Sequence, residues 1–499
     1  MDFDVIVVGS GFGGSVSAAR LAQKGLRVLV LERGPWWGPL NKARPEADRR
    51  DYPRGIKGAR RFVRNLRVTR GGKRRERLLQ ADGLYEAHVF DDLFTLTSSG
   101  VGGGSHIYTN ILEEPPAEFF AAFPEELTGE ELHPYFERVR EVMRPAPLPD
   151  RPEKNLVFEH ALASAGLPAP KYPDLAVAWG ADPRRPEKVT NAAGIEQRTS
   201  THAGTCIMGC EDGSKTTLDL TYIPMALKAG AKLRPLCEVL AVGAHAGGGY
   251  EVRYRDHRTG KQAVVHAPRL VLAAGGLNTQ RLLFAARERH RTLPGLPATL
   301  GARFSPNADL ATLLWKTKAL GDSSQGPSFN AFASIEAKGA HRFLVGEVGV
   351  PAGALPLPES MRASLRRSAF LFCMGRDASA ARIEFDGKGI TTTAGREMDR
   401  ALFDEMEQTV ARVAAHYGPE RVLGNLPWGK GARSLFTVHP LGGCSIGSSA
   451  EDGFTDHRGQ VFGHPGLFVA DGSLYPRSPG IPPSMSIAAL AERQADLMD

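Results

Sequence analysis

The sequence predicts an α/β fold with two domains, one built on a parallel, Rossmann-like sheet and one of α+β type with a mixed or antiparallel sheet. Three observations predict it. The chain begins with a strand, a glycine turn, a helix and a second strand over residues 4–32, and two later buried strands end in glycine-containing turns at Gly275 and Gly472. Residues 310–435 combine strand candidates with amphipathic helices and form a separate region. A chain of 499 residues is long enough for two cores.

The first unit carries a dinucleotide fingerprint. The run Gly9-Ser10-Gly11-Phe12-Gly13-Gly14 follows an apolar strand and opens a helix. Gly9 permits the tight turn, Gly11 lets the backbone approach a pyrophosphate, and Gly14 lets helix and strand pack closely. Glu32 ends the second strand, where a carboxylate accepts hydrogen bonds from a ribose diol. Alone, this pattern predicts a bound dinucleotide and leaves NAD and FAD open.

A second glycine cluster follows at residues 100–104. Gly100, Gly102, Gly103 and Gly104 with Ser105 do not suit the interior of a strand or helix. They predict a backbone turn against a flat or charged ligand, with a helix over 107–112. The strands that end at Gly275 and at Asp471-Gly472 place two more turns at a sheet's carboxyl edge, where α/β folds bind ligands.

Composition and cysteine usage narrow the class of protein. The chain is 42% hydrophobic and 23% charged, which argues against disorder and fibrous structure. Five cysteines imply no disulfide framework, and Cys206-x-x-x-Cys210 lacks a second pair at zinc spacing, so no metal is expected. No apolar run reaches about 18 residues, and the first strand starts near residue 3. The expected location is therefore the cytoplasm, with peripheral membrane contact as an open option.

The positive charge is concentrated in one segment. Residues 42–77 hold 15 Lys and Arg against four acids, a local excess of +11, whereas the rest of the chain carries −4. A solvated surface loop or helix is the favoured interpretation. Attraction to an anionic lipid surface is the alternative. No nucleic-acid-binding module surrounds the run, so nucleic acid is not an expected partner.

Two residues are candidates for acid–base chemistry. Glu347 interrupts the apolar run 343–351, and its pKa should rise if the carboxyl faces inward. An outward orientation is an equal alternative from this stretch alone. His439 precedes Pro440 and a Gly-Gly turn, which hold it extended beside a candidate ligand edge.

Together these segments resemble the glucose-methanol-choline (GMC) family of FAD oxidoreductases over essentially the whole chain, and within it the bacterial cholesterol oxidase type with noncovalent FAD. The resemblance rests on these blocks: residues 9–14 with Glu32, 100–105, 272–278, 347–353, 439–444, 475–484 and 488–493. It implies a discontinuous FAD-binding domain over 1–40, 95–112, 195–309 and 436–499. The implied substrate-binding domain covers 41–94, 113–194 and 310–435.

The resemblance also implies site residues. His439 occupies the place of a histidine beside the substrate hydroxyl, and Glu347 looks like a glutamate that moves a proton between steroid ring carbons. Asn110 is a further candidate for a catalytic contact. The expected FAD-binding residues are Gly9, Gly11, Phe12, Gly13, Gly14, Glu32, Gly100, Gly102, Gly103, Gly104, Ser105, Val239, Gly275, Asp471, Gly472 and Pro483.

The function implied is oxidation of a sterol or another bulky lipophilic alcohol by hydride transfer to flavin N5, with oxygen or another electron acceptor, and Δ5 to Δ4 isomerisation through Glu347. One position departs from the family: Pro482 stands where members carry Asn or His. Asn110, His106 or Ser484 could supply a polar group in its place. Alternatively, alcohol oxidation is weakened and the protein is a steroid isomerase, or it is a noncatalytic FAD protein that docks on membranes through 42–77.

Overall fold

The computed structural model describes residues 3–336, 341–424 and 434–498. Its helices are α1 Phe12–Gln23, α2 Gly55–Gly58, α3 Gly129–Met143, α4 Glu153–Ser164, α5 Tyr222–Lys228, α6 Gly276–Phe284, α7 Glu359–Arg366, α8 Arg400–Tyr417 and α9 Ser484–Leu497. Its strands are β1 Val5–Val8, β2 Val28–Leu31, β3 Trp36–Trp37, β4 Arg49–Arg50, β5 Val63–Arg70, β6 Lys73–Leu78, β7 Tyr85–Val89, β8 Leu93–Ser98, β9 Lys188–Thr190, β10 Glu196–Arg198, β11 Lys232–Arg234, β12 Cys237–Ala244, β13 Tyr250–Asp256, β14 Gln262–Ala267, β15 Arg269–Leu272, β16 Leu310–Trp315, β17 Phe329–Glu336, β18 Arg342–Gly349, β19 Ala369–Gly375, β20 Ile383–Phe385, β21 Ile390–Thr392, β22 Arg421–Gly424, β23 Leu435–Thr437 and β24 Leu467–Val469.

A parallel sheet, the nucleotide sheet, carries the fingerprint. Its order is β11-β2-β1-β15-β24, and every neighbouring pair runs parallel. All four residues of β1 and of β2 are buried, as strands covered on both faces must be. Helix α1 packs against α5 and α9 on one side of this sheet. The predicted α/β class is confirmed.

Two further five-stranded sheets complete the architecture. The cover sheet, β17-β18-β19-β16-β22, is antiparallel throughout and has α4 and α8 packed against one face. The wall sheet, β23-β8-β7-β5-β6, is mixed, with parallel pairs β23–β8 and β7–β5. Smaller antiparallel pairings join β12-β13-β14, β9-β10 and β20-β21, and β3-β4 pair in parallel.

Two local predictions were wrong. The basic segment contains strands β5 and β6 and not only a surface loop or helix, because its apolar residues Leu66 and Val68 alternate with residues that face the other side of the sheet. Residues 107–112 form no helix; a short 3-10 turn, Gly103–His106, stands before them. Asn110 in this stretch has a φ of 68°, a left-handed conformation that a right-handed helix excludes.

The predicted division into two domains remains a prediction. The wall sheet pairs strands from both predicted domains, since β8 and β23 lie beside β7 and β5. The consequence for function is that the wall sheet and the cover sheet both reach the carboxyl edge of the nucleotide sheet.

Candidate active site

A cavity of about 440 Å³ lies where the three sheets meet. Its lining includes the turns at the carboxyl ends of β1, β15 and β24, at Gly9, Ala274 and Asp471. Parallel α/β sheets bind ligands at this edge. The predicted turns therefore converge on one space, although they lie more than 400 residues apart in the chain.

The fingerprint glycines leave room for a ligand at one position and pack tightly at the others. Gly9 has a φ of 97°, and a Cβ there would lie 2.3 Å from the carbonyl oxygen of Ala273. A Cβ on Gly13 would lie 1.6 Å from the Ala470 oxygen, and one on Gly14 would lie 2.2 Å from the Gly9 oxygen. A Cβ on Gly11 would meet nothing within 4 Å. Gly11 thus faces the open space that a phosphate needs at the start of α1.

The second glycine cluster packs directly on the first. A Cβ on Gly103 would lie 2.6 Å from the Gly11 Cα, so the two loops make close backbone contact. The N–H of Gly102 donates to Ser10 Oγ at 3.1 Å, and Ser10 Oγ donates to Glu32 at 2.7 Å. The two loops and the acidic residue therefore form one rigid cradle.

Most predicted cofactor residues line the cavity. Those in the lining are Gly9, Gly11, Phe12, Gly13, Glu32, Gly103, Gly104, Val239, Gly275, Asp471, Gly472 and Pro483. Four others support the cradle from outside the lining: Gly14, Gly100, Gly102 and Ser105. Ser105, for example, donates to the Gly102 oxygen and accepts from the N–H of Leu218.

Asp471 connects the two later turns. Its carboxylate accepts hydrogen bonds from the N–H of Gly275 at 3.0 Å and from Thr279 Oγ1 at 2.5 Å. It also accepts the N–H of Ser473. Burial raises the pKa of Asp471 above its ordinary value, against the opposing effect of these donors. Asp471 thereby fixes the edge of the sheet between β15 and β24.

The end of the cavity near Glu32 is strongly charged. Arg33 lies in the lining and forms an ion pair with the buried Glu86 at 2.9 Å. Burial would raise the pKa of Glu86, but the guanidinium groups of Arg33, Arg67 and Arg64 outweigh it and lower that pKa to about 2. This network was not predicted. Only the position of Arg33 directly after Glu32 hinted at it.

His439 lines the cavity and is held by a carboxylate from the cover sheet. Its Nδ1 lies 2.9 Å from Oδ2 and 3.0 Å from Oδ1 of Asp309, which is fully buried. Asp309 also accepts from Thr437 Oγ1 at 2.8 Å and from the N–H of Val438 at 3.1 Å. Because an ionised carboxylate only accepts, Nδ1–H donates to Asp309, and in the neutral ring Nε2 is then the acceptor. Asp309 was missed, since no local motif marks it.

The rest of the cavity wall is apolar. It is built by the cover-sheet face that points away from α4 and α8, by residues of the wall sheet, and by residues of the connecting loops. These apolar lining residues are Leu96, Ile111, Ile207, Ala311, Phe329, Val348, Phe370, Phe372, Met374, Phe436 and Val438. The cavity therefore offers apolar surface together with His439.

Glu347 lies outside this cavity. On β18 it is paired with Leu371, whereas Val348 and its partner Phe370 line the cavity. Successive strand residues point to opposite faces, so Glu347 points toward the helices. The expectation that its carboxyl contacts the substrate is not met by the structure. The sequence did not reveal the parity of this strand because both of its faces are apolar.

The surroundings of Glu347 are polar but do not bind its oxygens. The side chain is fully buried, and within the described residues neither oxygen has a hydrogen-bond partner. Burial raises its pKa to about 8, with buried Lys154 of α4 opposing and Glu153 adding to the rise. Lys154 itself donates to the Ser328 carbonyl and to Asn330 Oδ1. The predicted rise in pKa is present, but at a site away from the cavity.

Pro482 offers no polar side chain, and Asn110, His106 and Ser484 were the candidates to supply one. They lie in different places. Pro482 and Ser484 line the cavity together with His439. Asn110 is fully buried, lies outside the lining, and has no hydrogen-bond partner for its amide among the described residues. His106 is also outside it, with Nδ1 2.9 Å from the Tyr52 hydroxyl and Nε2 2.6 Å from the Val101 oxygen. Both ring nitrogens of His106 are thus engaged by protein atoms.

Comparison with known proteins identifies the family and relatives of this chain. Two family models, each described as GMC oxidoreductase, match residues 188–287 and 390–491, and an NAD(P)-binding Rossmann-like domain model matches residues 7–47. A cholesterol oxidase of Mycobacterium tuberculosis (strain CDC 1551 / Oshkosh) is 29% identical over 99% of this chain and 91% of that protein. A cholesterol oxidase of Acinetobacter baumannii is 26% identical over 99% and 93%.

The fold has solved counterparts. The crystal structure of pyridoxine 4-oxidase from Mesorbium loti superposes with a TM-score of 0.65, at 18% identity and over 99% of both chains. The glycine cradle, with open space at Gly11 and a carboxylate at Glu32, fits the ADP part of FAD. The chain therefore belongs to the GMC oxidoreductase family and is an FAD-dependent alcohol oxidoreductase.

Proposed function

We propose that this protein oxidises a bulky lipophilic alcohol, with a sterol as the first substrate to test. The observation that carries the proposal is the pairing of one oriented imidazole with an apolar chamber. His439 is held by Asp309 within a cavity whose apolar wall contains Phe370 and Phe372. An apolar wall binds the hydrocarbon body of the substrate, and the imidazole binds its hydroxyl.

In this proposal the polypeptide removes the proton from the substrate hydroxyl. With Nδ1–H donated to Asp309, Nε2 of His439 accepts that proton, and the buried carboxylate stabilises the imidazolium that forms. Bound FAD would supply the redox chemistry by accepting the hydride from the carbinol carbon. Oxygen or another electron acceptor then completes the turnover.

Ser484 is our candidate for the second polar contact. It lines the cavity beside Pro482, and its hydroxyl forms no hydrogen bond within the part of the chain that the structure describes. Proline offers neither a side-chain donor nor a backbone N–H. Other family members carry Asn or His at the position that corresponds to Pro482. We therefore assign part of the role of that side chain to the Ser484 hydroxyl.

Isomerisation through Glu347 is not proposed. The reaction needs the carboxyl beside the steroid rings, whereas this side chain faces α4 and α8. The cholesterol oxidases among the relatives support a sterol as substrate, and they carry no argument about this residue.

The test is anaerobic reduction of the bound flavin. Wild-type protein should lose its visible flavin absorbance when a 3β-hydroxysterol or a long-chain alcohol is added. Recovery in air identifies an oxidase, and recovery only with a dye identifies a dehydrogenase. His439→Ala should keep the flavin and bleach about 10²-fold more slowly, or slower still. If no lipophilic alcohol bleaches the wild type, the proposal is wrong.

A further inference from the structure

One face of the wall sheet runs from the cavity to an exposed basic edge. The residues Phe436, Phe94, Val89, Val68 and Arg75 form one cross-strand row in register from β23 to β6. Phe436 lines the cavity, and the Phe94 and Phe436 rings stack at 5.7 Å. Arg75 is exposed at the far end. At a spacing of about 4.8 Å between strands, the edge strand lies roughly 14 Å from β8.

A second row runs beside the first. It consists of Leu96, Ala87, Leu66 and Arg77, and Leu96 lines the cavity. Leu66, Val68, Val89 and Phe94 are only half-buried. We call these two rows, together with Arg70 and Lys73 at the end of the hairpin, the basic-apolar face. Apolar surface thus continues outward from the cavity and ends in positive charge.

The charges divide by sheet face. Arg67 and Arg74 point to the opposite face and are paired, with Glu76 and with Asp386. On the basic-apolar face Arg70, Lys73, Arg75 and Arg77 form no ion pair within residues 3–336, 341–424 and 434–498. Charge on an edge strand also discourages pairing with other sheets. Either sign would serve that purpose, yet the charged residues of the two rows are all cations; Asp91 is beside the hairpin turn, where it accepts the N–H of Gly71.

We propose that the basic-apolar face docks on the surface of an anionic phospholipid bilayer. Cationic side chains beside half-buried apolar residues match the headgroup layer, where phosphates lie above the acyl chains. Phe436 connects this surface to the cavity, so a lipophilic alcohol leaving the bilayer would reach His439 along apolar side chains. This last consequence rests on the proposed function, but the docking itself does not. No helix in the described segments is long and apolar enough to cross a bilayer.

Docking can be measured without any turnover. Flavin-loaded full-length protein would be co-sedimented with phosphatidylcholine vesicles, with or without about one-third phosphatidylglycerol. Binding should require the anionic lipid and weaken as salt is raised. A variant with Lys73→Glu, Arg75→Glu and Arg77→Glu should bind on the order of a hundredfold less, because each basic residue contributes about 1 kcal/mol near such a surface.

A charge-matched control distinguishes the contribution of this face to vesicle binding from the contribution of the protein's net charge. Arg253→Glu, Arg255→Glu and Lys261→Glu alter three exposed cations on β13 and the turn after it, with the same change in charge. The control should bind anionic vesicles nearly as the wild type does. Equal loss in both variants, or binding that neither triple affects, overturns the proposal. So does wild-type binding to single-stranded DNA with none to vesicles.

The same variants also allow the fold and the alcohol oxidation to be measured separately from vesicle binding. Both triples should keep the flavin spectrum and the bleaching rate with a detergent-dispersed or water-soluble alcohol, since none of these residues lines the cavity. Normal vesicle binding with no alcohol oxidation would refute the proposed function alone. Normal oxidation with no vesicle binding would refute the docking alone.

Discussion

The imidazole of His439 and the carboxylate of Asp309 form a hydrogen-bonded pair, with Nδ1 2.9 Å from Oδ2. Asp309 precedes β16 and His439 follows β23, so the pair joins the cover sheet to the wall sheet. It sets the ring tautomer and leaves Nε2 to accept a proton.

Replacing Asp309 by Asn should lower kcat by about 10²-fold with little change in KM. The amide can donate to Nδ1, which favours the tautomer with the proton on Nε2, and it no longer stabilises an imidazolium. Steady-state rates on a saturating alcohol would measure the effect, with flavin absorbance as the check on cofactor binding. An unchanged kcat would show that the carboxylate only supports the fold.

Gly11 and Gly13 make a matched pair of tests. Gly11→Ala should fold normally, because its Cβ meets nothing within 4 Å, but should bind FAD at least about tenfold more weakly. Gly13→Ala should lower the free energy of unfolding by roughly 3 kcal/mol or more, because its Cβ would overlap the Ala470 oxygen. Flavin titration and urea unfolding distinguish the two. Equal flavin affinity in Gly11→Ala and the wild type would argue against the cradle.

Glu347→Gln should change the pH dependence of stability and leave alcohol oxidation intact. The folded pKa of about 8 lies above the unfolded value, so the carboxyl's contribution to stability is present below about pH 4.5 and is lost as pH rises through about 8. Between pH 6 and 8.5 the wild type should lose roughly 2 kcal/mol of unfolding free energy that the Gln variant retains.

Urea unfolding at the two pH values measures this difference. The groups that face the carboxyl are Lys154 and Glu153 from α4 and Tyr417 from α8. A parallel pH profile in both proteins would contradict the assignment. A large loss of alcohol oxidation in Glu347→Gln would show that the residue reaches the substrate after all.

Val348→Trp should reduce the turnover of large substrates more than that of small ones. Val348 lines the cavity from β18, and the larger indole would fill space that a rigid ring system needs. Turnover of a sterol should fall about 10²-fold, whereas a short linear alcohol should change by less than about threefold. Competition between the two alcohols in one assay gives the ratio of kcat/KM directly. Equal losses would mean that the chamber does not select by size.

Pro482→Asn should raise kcat by roughly tenfold, because it places a donor beside the reacting oxygen. Ser484→Ala in the wild-type background should lower kcat, and its effect should be smaller when it is combined with Pro482→Asn. The double-mutant cycle measures that coupling. Independent effects would show that Ser484 does not take over the role of a polar residue at position 482.

Sequence patterns located the cradle because its parts are local. A strand, a glycine turn and a helix are consecutive, and their contacts follow from backbone geometry, as the tight packing at Gly9 and Gly14 confirms. His439 was found in the same way, from the Pro and Gly-Gly beside it and from the resemblance.

Such local patterns could not predict which face of a strand a given side chain occupies. Glu347 and Val348 are neighbours on one strand, and a shift of one residue exchanges cavity and helix faces. The residues of β18 itself are mostly apolar on both faces, so periodicity offered no means to choose between the faces. The basic strands were missed for a related reason, because charged residues on both faces concealed the alternation of Leu66 and Val68.

The sequence by itself determined the α/β fold, the dinucleotide cradle and the histidine, because short-range backbone rules specify them. Only the tertiary structure decided which groups act together. It brought Asp309 to His439 across 130 residues, turned Glu347 away from the cavity, and aligned Phe436 with Arg75 across the wall sheet. Those relationships depend on sheet pairing and register, which are set by long-range packing between segments that no local pattern connects.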